Sequence, residues 1–314
     1  MIPCAPQDIL ALIAPLIAFL VLDHLYPRHE GILYKVHPVR LAYYAALRLA
    51  KPHAGVSWGL LVWLLIVTAI VAPVAGILCI FSQKPLAWAI AATITIKFSA
   101  AYKLLADTVE GVAEALDRGD LEDARRLVGE IVRRPTGRLG EWQVASAAIE
   151  SLAENLVDGL TSPLTYYPLL GPPGALLQRV TNTLDGAIGY KTPEYERVGK
   201  PSAHIDTLLN LAPARMTALL IALLAPVAGG SISGALKTWA RWRAATPSIN
   251  AGHPIAAMAG ALGVKLEKPG AYTINPQGRP PTPGDIRRAL RIARAVTLVY
   301  MLGVLTMILI LSNC

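Results

Sequence analysis

Three carboxylates, Glu150, Glu154 and Asp158, stand four and four apart in AAIESLAENLVD. On a helix they share one face, each about 6 Å from the next. Like charges so spaced repel, and a fold that keeps them together compensates them with a cation, a metal or a basic ligand group. Such a face can hold Mg²⁺, which takes carboxylate oxygens together with substrate phosphates. Asn155 adds an amide at its edge. The competing reading is a solvated helix face, and the apolar flanks VASAAI and GLTSPL weigh against it. A second group, Asn182, Asp185, Tyr190 and Lys191, lies in TNTLDGAIGYKTPEY, where Gly186 and Gly189 suggest a close turn. Asn182 and Asp185 can face together on a helix. A third group is His204, Asp206, Asn210 and Arg215. Asp206 and Asn210 share a helical face, which Pro213 is expected to interrupt, whereas His204 joins Asp206 only on an extended chain. Arg215 is suited to bidentate binding of phosphate or carboxylate, or to anchoring at a membrane interface.

Cations complete the inventory. Lys97 sits inside the apolar stretch Leu86–Ala106, where an ammonium must snorkel, pair or face a polar site. His37 and Arg40, three apart in HPVR, suit an anionic ligand at a membrane mouth. Four of the six histidines (24, 29, 37 and 53) gather in this region without a zinc spacing. The block NAGHPIAAMAGALGV, 250–264, is neither a GxxxxGK[ST] loop nor a GxGxxG fingerprint. Its small residues allow either close backbone approach to a ligand or a tightly packed helix pair. No GxSxG elbow is present, and Cys4, Cys79 and Cys314 form no CxxC signature, so covalent nucleophilic catalysis has no support.

The elements that must position these residues follow from composition. Of 314 residues, 54% are hydrophobic and 16% charged, too few charges for a soluble surface of this size. The chain reads as an all-α, polytopic integral membrane protein with five to eight helical elements, some broken or re-entrant. Its net charge of +8 fits the excess of Lys and Arg in cytoplasmic loops, and an anionic substrate is compatible with it. Ile9–Leu22 is a short first span, with no basic region before it to mark a signal peptide. Val56–Ile80 is the strongest span; Leu86–Ala106, Met216–Leu236 and Ala295–Asn313 follow. Gly159–Gln178 is uncharged but carries Pro163, Pro168, Pro172 and Pro173, and reads as a broken or re-entrant helix. The basic loops 23–57, 107–143 and 237–294 are expected on the cytoplasmic side of the cell membrane. Residues 1–314 form one membrane-embedded domain in this reading, with 107–143 (its 117–130 part amphipathic) and 237–294 as its cytoplasmic loops. The basic, aromatic run KTWARWR suits an interfacial anchor, and no motif supports a nucleic-acid partner. No internal repeat is evident, which weighs against an inverted-repeat transporter.

At these residues the chain resembles the CobD/CbiB family of adenosylcobinamide-phosphate synthases, nearly end to end from about Leu22 to Arg294. The likeness rests on five blocks in order. They are Val36–Arg40, Ala148–Pro163, Asn182–Tyr190 with Tyr195–Gly199, the HIDTLLNLAPAR stretch carrying Asp206, Asn210 and Pro213–Arg215, and Asn250–Val264 with His253. The chain departs from the family pattern at Arg133-Arg134-Pro135-Thr136, at Thr207 and at Ile255, departures that point to an archaeal branch.

The resemblance implies a ligase that joins adenosylcobyric acid to (R)-1-amino-2-propanol O-phosphate, or a related amino alcohol phosphate, giving adenosylcobinamide phosphate. ATP is the co-substrate and Mg²⁺ the cofactor. On this reading Glu150, Glu154, Asp158 and Asp185 hold the metal, with Asn155 and Asn182 orienting it. Lys97, Arg40 and Arg215 neutralise phosphate or carboxylate, and Asp206 accepts the amine proton. Lys97, Glu154 and Asp206 would be catalytic, and His37, Arg40, Asn182, Arg215 and His253 would bind the co-substrate. The partners are the corrinoid, the amino alcohol phosphate and the lipid bilayer, with a homo-oligomer or pathway complex left open. A membrane transporter and a non-catalytic corrinoid-binding subunit are the rival readings.

Overall fold

The structure, a computed structural model, describes residues 2–190 and 192–312. Lys191 and Cys314 therefore lie outside the described residues. The all-α expectation holds, with one small β-hairpin added. The helices are α1 Ile9–Leu25, α2 Gly31–Lys35, α3 Pro38–Leu49, α4 Val56–Ile80, α5 Pro85–Ser99, α6 Lys103–Asp117 and α7 Leu121–Gly129. They continue with α8 Glu141–Leu156, α9 Ser162–Ile188, α10 Lys200–Leu224, α11 Ile232–Trp242, α12 Gly252–Leu262 and α13 Pro283–Ser312. Strands β1 Leu266–Lys268 and β2 Tyr272–Ile274 pair antiparallel, with Glu267 opposite Thr273. Four helical segments are long and apolar enough to cross a membrane: Val56–Ile80, Pro85–Asp117, Lys200–Ala228 and Pro283–Ser312. The chain is thus a polytopic membrane protein.

Two spans differ from their sequence outlines. The apolar stretch 216–236 is not one helix. Helix α10 begins at Lys200, runs through Pro213, and passes at Ala225–Ala228 into a 3₁₀ turn that Gly229 ends in left-handed geometry (φ 66°). A proline inside a helix removes one hydrogen bond, a loss that a long apolar helix packed by neighbours tolerates. The earlier start matters because it carries Asp206 and Asn210 into the span. Likewise, the last span opens at Pro283 rather than Ala295, taking in the arginine run 287–294. The break expected over 159–178 is present. A π-turn at Val157–Thr161 separates α8 from α9, and Gly171 interrupts α9 with φ 70° and ψ −164°.

The chain forms two compact units. The first comprises residues 1–101, 158–210 and 301–314. Its apolar core joins α3, α4 and α9 through Ala42, Ala46, Val62, Ile66, Val180 and Leu184. At one end of α4, Gly59 lies against the Val198 carbonyl and Pro201. At the other, Cys79 is disulfide-bonded to Cys4, a pairing across 75 residues that the sequence reading did not anticipate. Twenty helical residues between these marks span about 30 Å, a hydrocarbon thickness. The start of α10 therefore sits at the end of α4 that borders the basic loop 23–57, and the disulfide sits at the other.

The second unit comprises 102–157 and 211–300. Here α6, α7 and α8 bury Val109, Val112, Val128, Ile149 and Leu152, and β1 packs on α8. The small residues of 250–264 serve helix packing: a Cβ on Gly260 would stand 2.4 Å from the Gly234 carbonyl oxygen, so α12 lies directly on α11.

Candidate functional site

In the first unit, α9 and α10 face each other with polar stripes. Gln178, Asn182 and Asp185 recur at helical spacing along α9, and Ser202, Asp206 and Asn210 along α10. Gln178 Nε2 donates to Asn210 Oδ1 (3.2 Å), and Asn210 Nδ2 donates to Asp206 Oδ1 (3.0 Å). Asn182 also hydrogen-bonds the Asp206 side chain, and the carboxylates of Asp158 and Asp185 lie close enough to act on it electrostatically. Asp206, Asn210 and Gln178 are buried, Asp158, Asn182 and Asp185 are half-buried, and Asp206 and Asn210 lie in a helix of spanning length. Gly189 admits Asp185 to it: a Cβ there would stand 2.0 Å from Asp185 Oδ1. Tyr166 closes one side by donating its hydroxyl to the Leu209 carbonyl (2.7 Å).

Among the described residues the group has a cation that the sequence analysis did not single out. Arg179, at the foot of the uncharged stretch 159–178, donates from Nη1 to the Asp158 carbonyl oxygen (3.3 Å). Its charge is felt by Asp158 and Asp206 on one side and by His37 on the other. Among the described residues, Gln178 Oε1, Ser162 Oγ and Ser202 Oγ of this unit are buried with no hydrogen-bond partner.

The histidine region adjoins Arg179. His29 and His37 stack with ring centroids 4.6 Å apart, and Phe98 lies 4.9 Å from His37. His37 Nδ1 accepts from Val39 N, capping α3. Burial, aided by His29, Arg179 and Lys97, lowers the His37 pKa to about 4, so its ring is neutral at physiological pH. Lys97 is paired: its Nζ lies 2.7 Å from Asp23 Oδ1, both side chains buried. Of the three outcomes open to an intramembrane lysine, the fold has taken the ion pair. Arg40 stacks over Tyr34 and Tyr44, at 4.6 and 5.3 Å.

The four-and-four carboxylate stripe is divided. Glu150 and Glu154 end in the second unit and Asp158 in the first, and the intervening π-turn changes the helical phase. Glu150 receives Arg134 Nη2 (3.2 Å), Ser146 Oγ (2.9 Å) and the Tyr272 hydroxyl (2.8 Å). Burial and Glu150, then Glu154, push the Tyr272 pKa far up, which keeps that hydroxyl a donor. Asn155 turns back to bond the Ser151 carbonyl (2.9 Å). Elsewhere in this unit, Arg215 Nη1 donates to Asn250 Oδ1 (2.7 Å) and to the Leu211 carbonyl (2.8 Å). His253 Nδ1 accepts from Trp239 Nε1 (2.9 Å), and burial with Arg215 and Arg243 lowers its pKa to about 4. His204 stays exposed, bonded to the Lys200 carbonyl.

Helices of spanning length define a multi-pass membrane protein, and α9 and α10 carry an aspartate–amide group between them. The chain belongs to the CobD/CbiB family, whose model, described as "CobD/Cbib protein", matches residues 16–299. It is 47% identical over 292 residues to the probable cobalamin biosynthesis protein CobD of Aeropyrum pernix, covering 92% of this chain and 91% of that one. It is 40% identical over 264 residues to the probable cobalamin biosynthesis protein CobD of Thermococcus kodakarensis, with coverage of 82% and 84%. The cobalamin biosynthesis protein CobD of Mycobacterium tuberculosis strain CDC 1551 shares 42% over 217 residues, covering 67% and 69%. No solved structure matches the chain.

Proposed function

We propose that the chain is an enzyme of cobalamin biosynthesis, the ligase that joins adenosylcobyric acid to (R)-1-amino-2-propanol O-phosphate or a related amino alcohol phosphate. The observation that carries the reading is the group Asp158, Asn182, Asp185, Asp206 and Asn210, the last two on a helix of spanning length. Three carboxylates gathered in one place suit an enzyme that handles Mg²⁺, phosphates and an amine.

A carboxylate becomes an acyl donor once its oxygen is a leaving group. In the proposed reaction the propionate oxygen takes the γ-phosphoryl group of ATP and ADP departs. The amine nitrogen then bonds to the acyl carbon, the C–O bond breaks, phosphate leaves, and one proton passes from nitrogen to the enzyme. Asp206, oriented by Asn182 and Asn210, is the acceptor of that proton. The donor set is all oxygen, which suits Mg²⁺. Among the described residues no three His, Cys, Asp or Glu side chains converge to hold a metal by themselves. Asp158 and Asp185 would hold it, and when bound it neutralises phosphate oxygens. Glu154, beside Tyr272, stays a candidate for the same chemistry.

The site is assigned to the cytoplasmic side, where ATP is. Asp206 lies near the start of α10, at the end of α4 that borders the basic loop 23–57, whereas the Cys4–Cys79 disulfide marks the other end and suits an oxidising exterior. The test is purified protein with adenosylcobyric acid, the amino alcohol phosphate, ATP and Mg²⁺, with products followed by mass. Adenosylcobinamide phosphate is expected. Its absence from the complete mixture, with folded protein, overturns the reading.

A further inference from the structure

We propose that Arg179 is the phosphate-binding residue of the α9–α10 site, contacting a phosphate group on one of the two phosphorylated substrates. The inference rests on the ligase reading for the identity of those substrates, but its geometry is independent of it.

A guanidinium carries five N–H donors in a rigid fork. Among the described residues Arg179 spends one of them, on the Asp158 carbonyl at 3.3 Å, a long bond to a neutral acceptor. No carboxylate is bonded to it, although Asp158 and Asp206 are near enough to act on its charge. The other buried pairs behave differently: Lys97 closes on Asp23 at 2.7 Å, and Arg134 closes on Glu150. The side chain is half-buried, and its remaining N–H groups are open to an anion, which a guanidinium takes bidentately. On the far side the neutral His37 ring offers no competing charge.

The aspartates and Arg179 thus have complementary tasks. Carboxylates repel a bare phosphate and need a cation between, whereas a guanidinium takes phosphate directly and bidentately. Arg179 stands where both can act on one group.

Arg179→Gln and Arg179→Lys in the full-length, detergent-purified protein test this by two readouts. The first is the melting temperature during titration with inorganic phosphate: the wild type should be stabilised and Arg179→Gln should not respond. The second is steady-state kinetics with each substrate varied. Arg179→Gln should raise KM for one phosphorylated substrate by about 10- to 100-fold, the usual worth of a charge-assisted hydrogen bond, with Arg179→Lys between. A rise confined to ATP assigns the γ-phosphate. A rise confined to the amino alcohol phosphate assigns its monoester, and the unphosphorylated amino alcohol should then be used equally by wild type and variant. Phosphate stabilisation retained in Arg179→Gln, or KM values all within twofold of wild type, overturns the proposal. If Arg179→Gln does not fold, Arg179→Lys decides by the same criteria. A wild type that binds phosphate through Arg179 but makes no amide would sink the ligase reading and leave this one standing.

Discussion

The carboxylates around Asp206 and the carboxylate of Glu150 both lie on helices flanked by apolar sequence, yet their surroundings differ. Glu150 is met by a guanidinium, a hydroxyl from its own helix turn and a phenol from β2, so its charge is answered inside the protein. Asp206 is met by two amides and by two more aspartates, with the nearby arginine bonded elsewhere. The first arrangement holds a hairpin on a helix. The second gathers carboxylates and amides in one place, part of it on a helix of spanning length. Burial and spacing do not distinguish the two carboxylates; the groups that surround them do.

The largest expected effect breaks that comparison on activity. Asp206→Asn and Asp158→Asn should lower the rate of amide formation by about 10²-fold or more, as removal of a positioned acid–base or phosphate-handling group does, with the melting temperature within a few degrees of wild type. Glu150→Gln, normalised to folded protein, should stay within a few-fold. Glu154→Gln sharpens the contrast: a loss as deep as that of Asp206→Asn would extend the chemistry to the second unit's glutamates. Near-normal turnover would confine it to the aspartates. Product formation by mass, measured on all four variants beside their thermal melts, decides this.

Stability should reverse the order. Glu150→Gln leaves Arg134 partly buried without its counter-charge, and breaking such a pair costs about 3–5 kcal/mol. Glu150→Gln combined with Arg134→Met should recover much of that loss, since the unpaired charge is then gone. The Asp23–Lys97 pair offers the same cycle in the first unit. Lys97→Met should destabilise by a similar amount, and Asp23→Asn added to it should restore stability. If the double variant is stable but makes no product, Lys97 has a chemical role beyond its pairing. Denaturation curves of the purified variants supply the measurement.

Much of this was legible in the chain. Val56–Ile80 announced itself as uncharged sequence of spanning length and is a helix over the same residues. Asn182 with Asp185, and Asp206 with Asn210, were legible as pairs because helical spacing is a local rule. That the two pairs meet depends on α9 and α10 folding back on each other, which no local rule reports. Arg179 was missed because it follows an uncharged stretch and its partners come from other helices. A π-turn between Glu154 and Asp158 is invisible in residue types, and so are the partners of Glu150, Arg134 and Tyr272, which come from elsewhere in the chain. The Cys4–Cys79 pairing is likewise a fact of tertiary approach. Local periodicity carried the spans; the charges needed the packing.

The smallest expected effect concerns pH and sets one histidine of each unit against the other. His37 and His253 both titrate near 4 in the folded protein, against 6.5 ordinarily. Above about pH 6.5 neither is protonated in either state, and stability is unaffected. Between 6.5 and 4 the unfolded chain takes up protons that the folded rings refuse, so stability falls as pH falls and levels off below 4. Each of His37→Gln and His253→Gln should flatten that slope by a part, seen as melting temperature against pH. The cause of the depression separates them. His37 is faced by His29, Arg179 and Lys97, so an anion bound at Arg179 should raise its pKa and weaken its share of the slope. His253 is faced by Arg215 and Arg243 in the other unit and should not respond. Melts with and without inorganic phosphate, on the wild type and the two variants, would show whether anion binding is confined to the first unit. An equal phosphate effect on both histidines would break the distinction between the two regions.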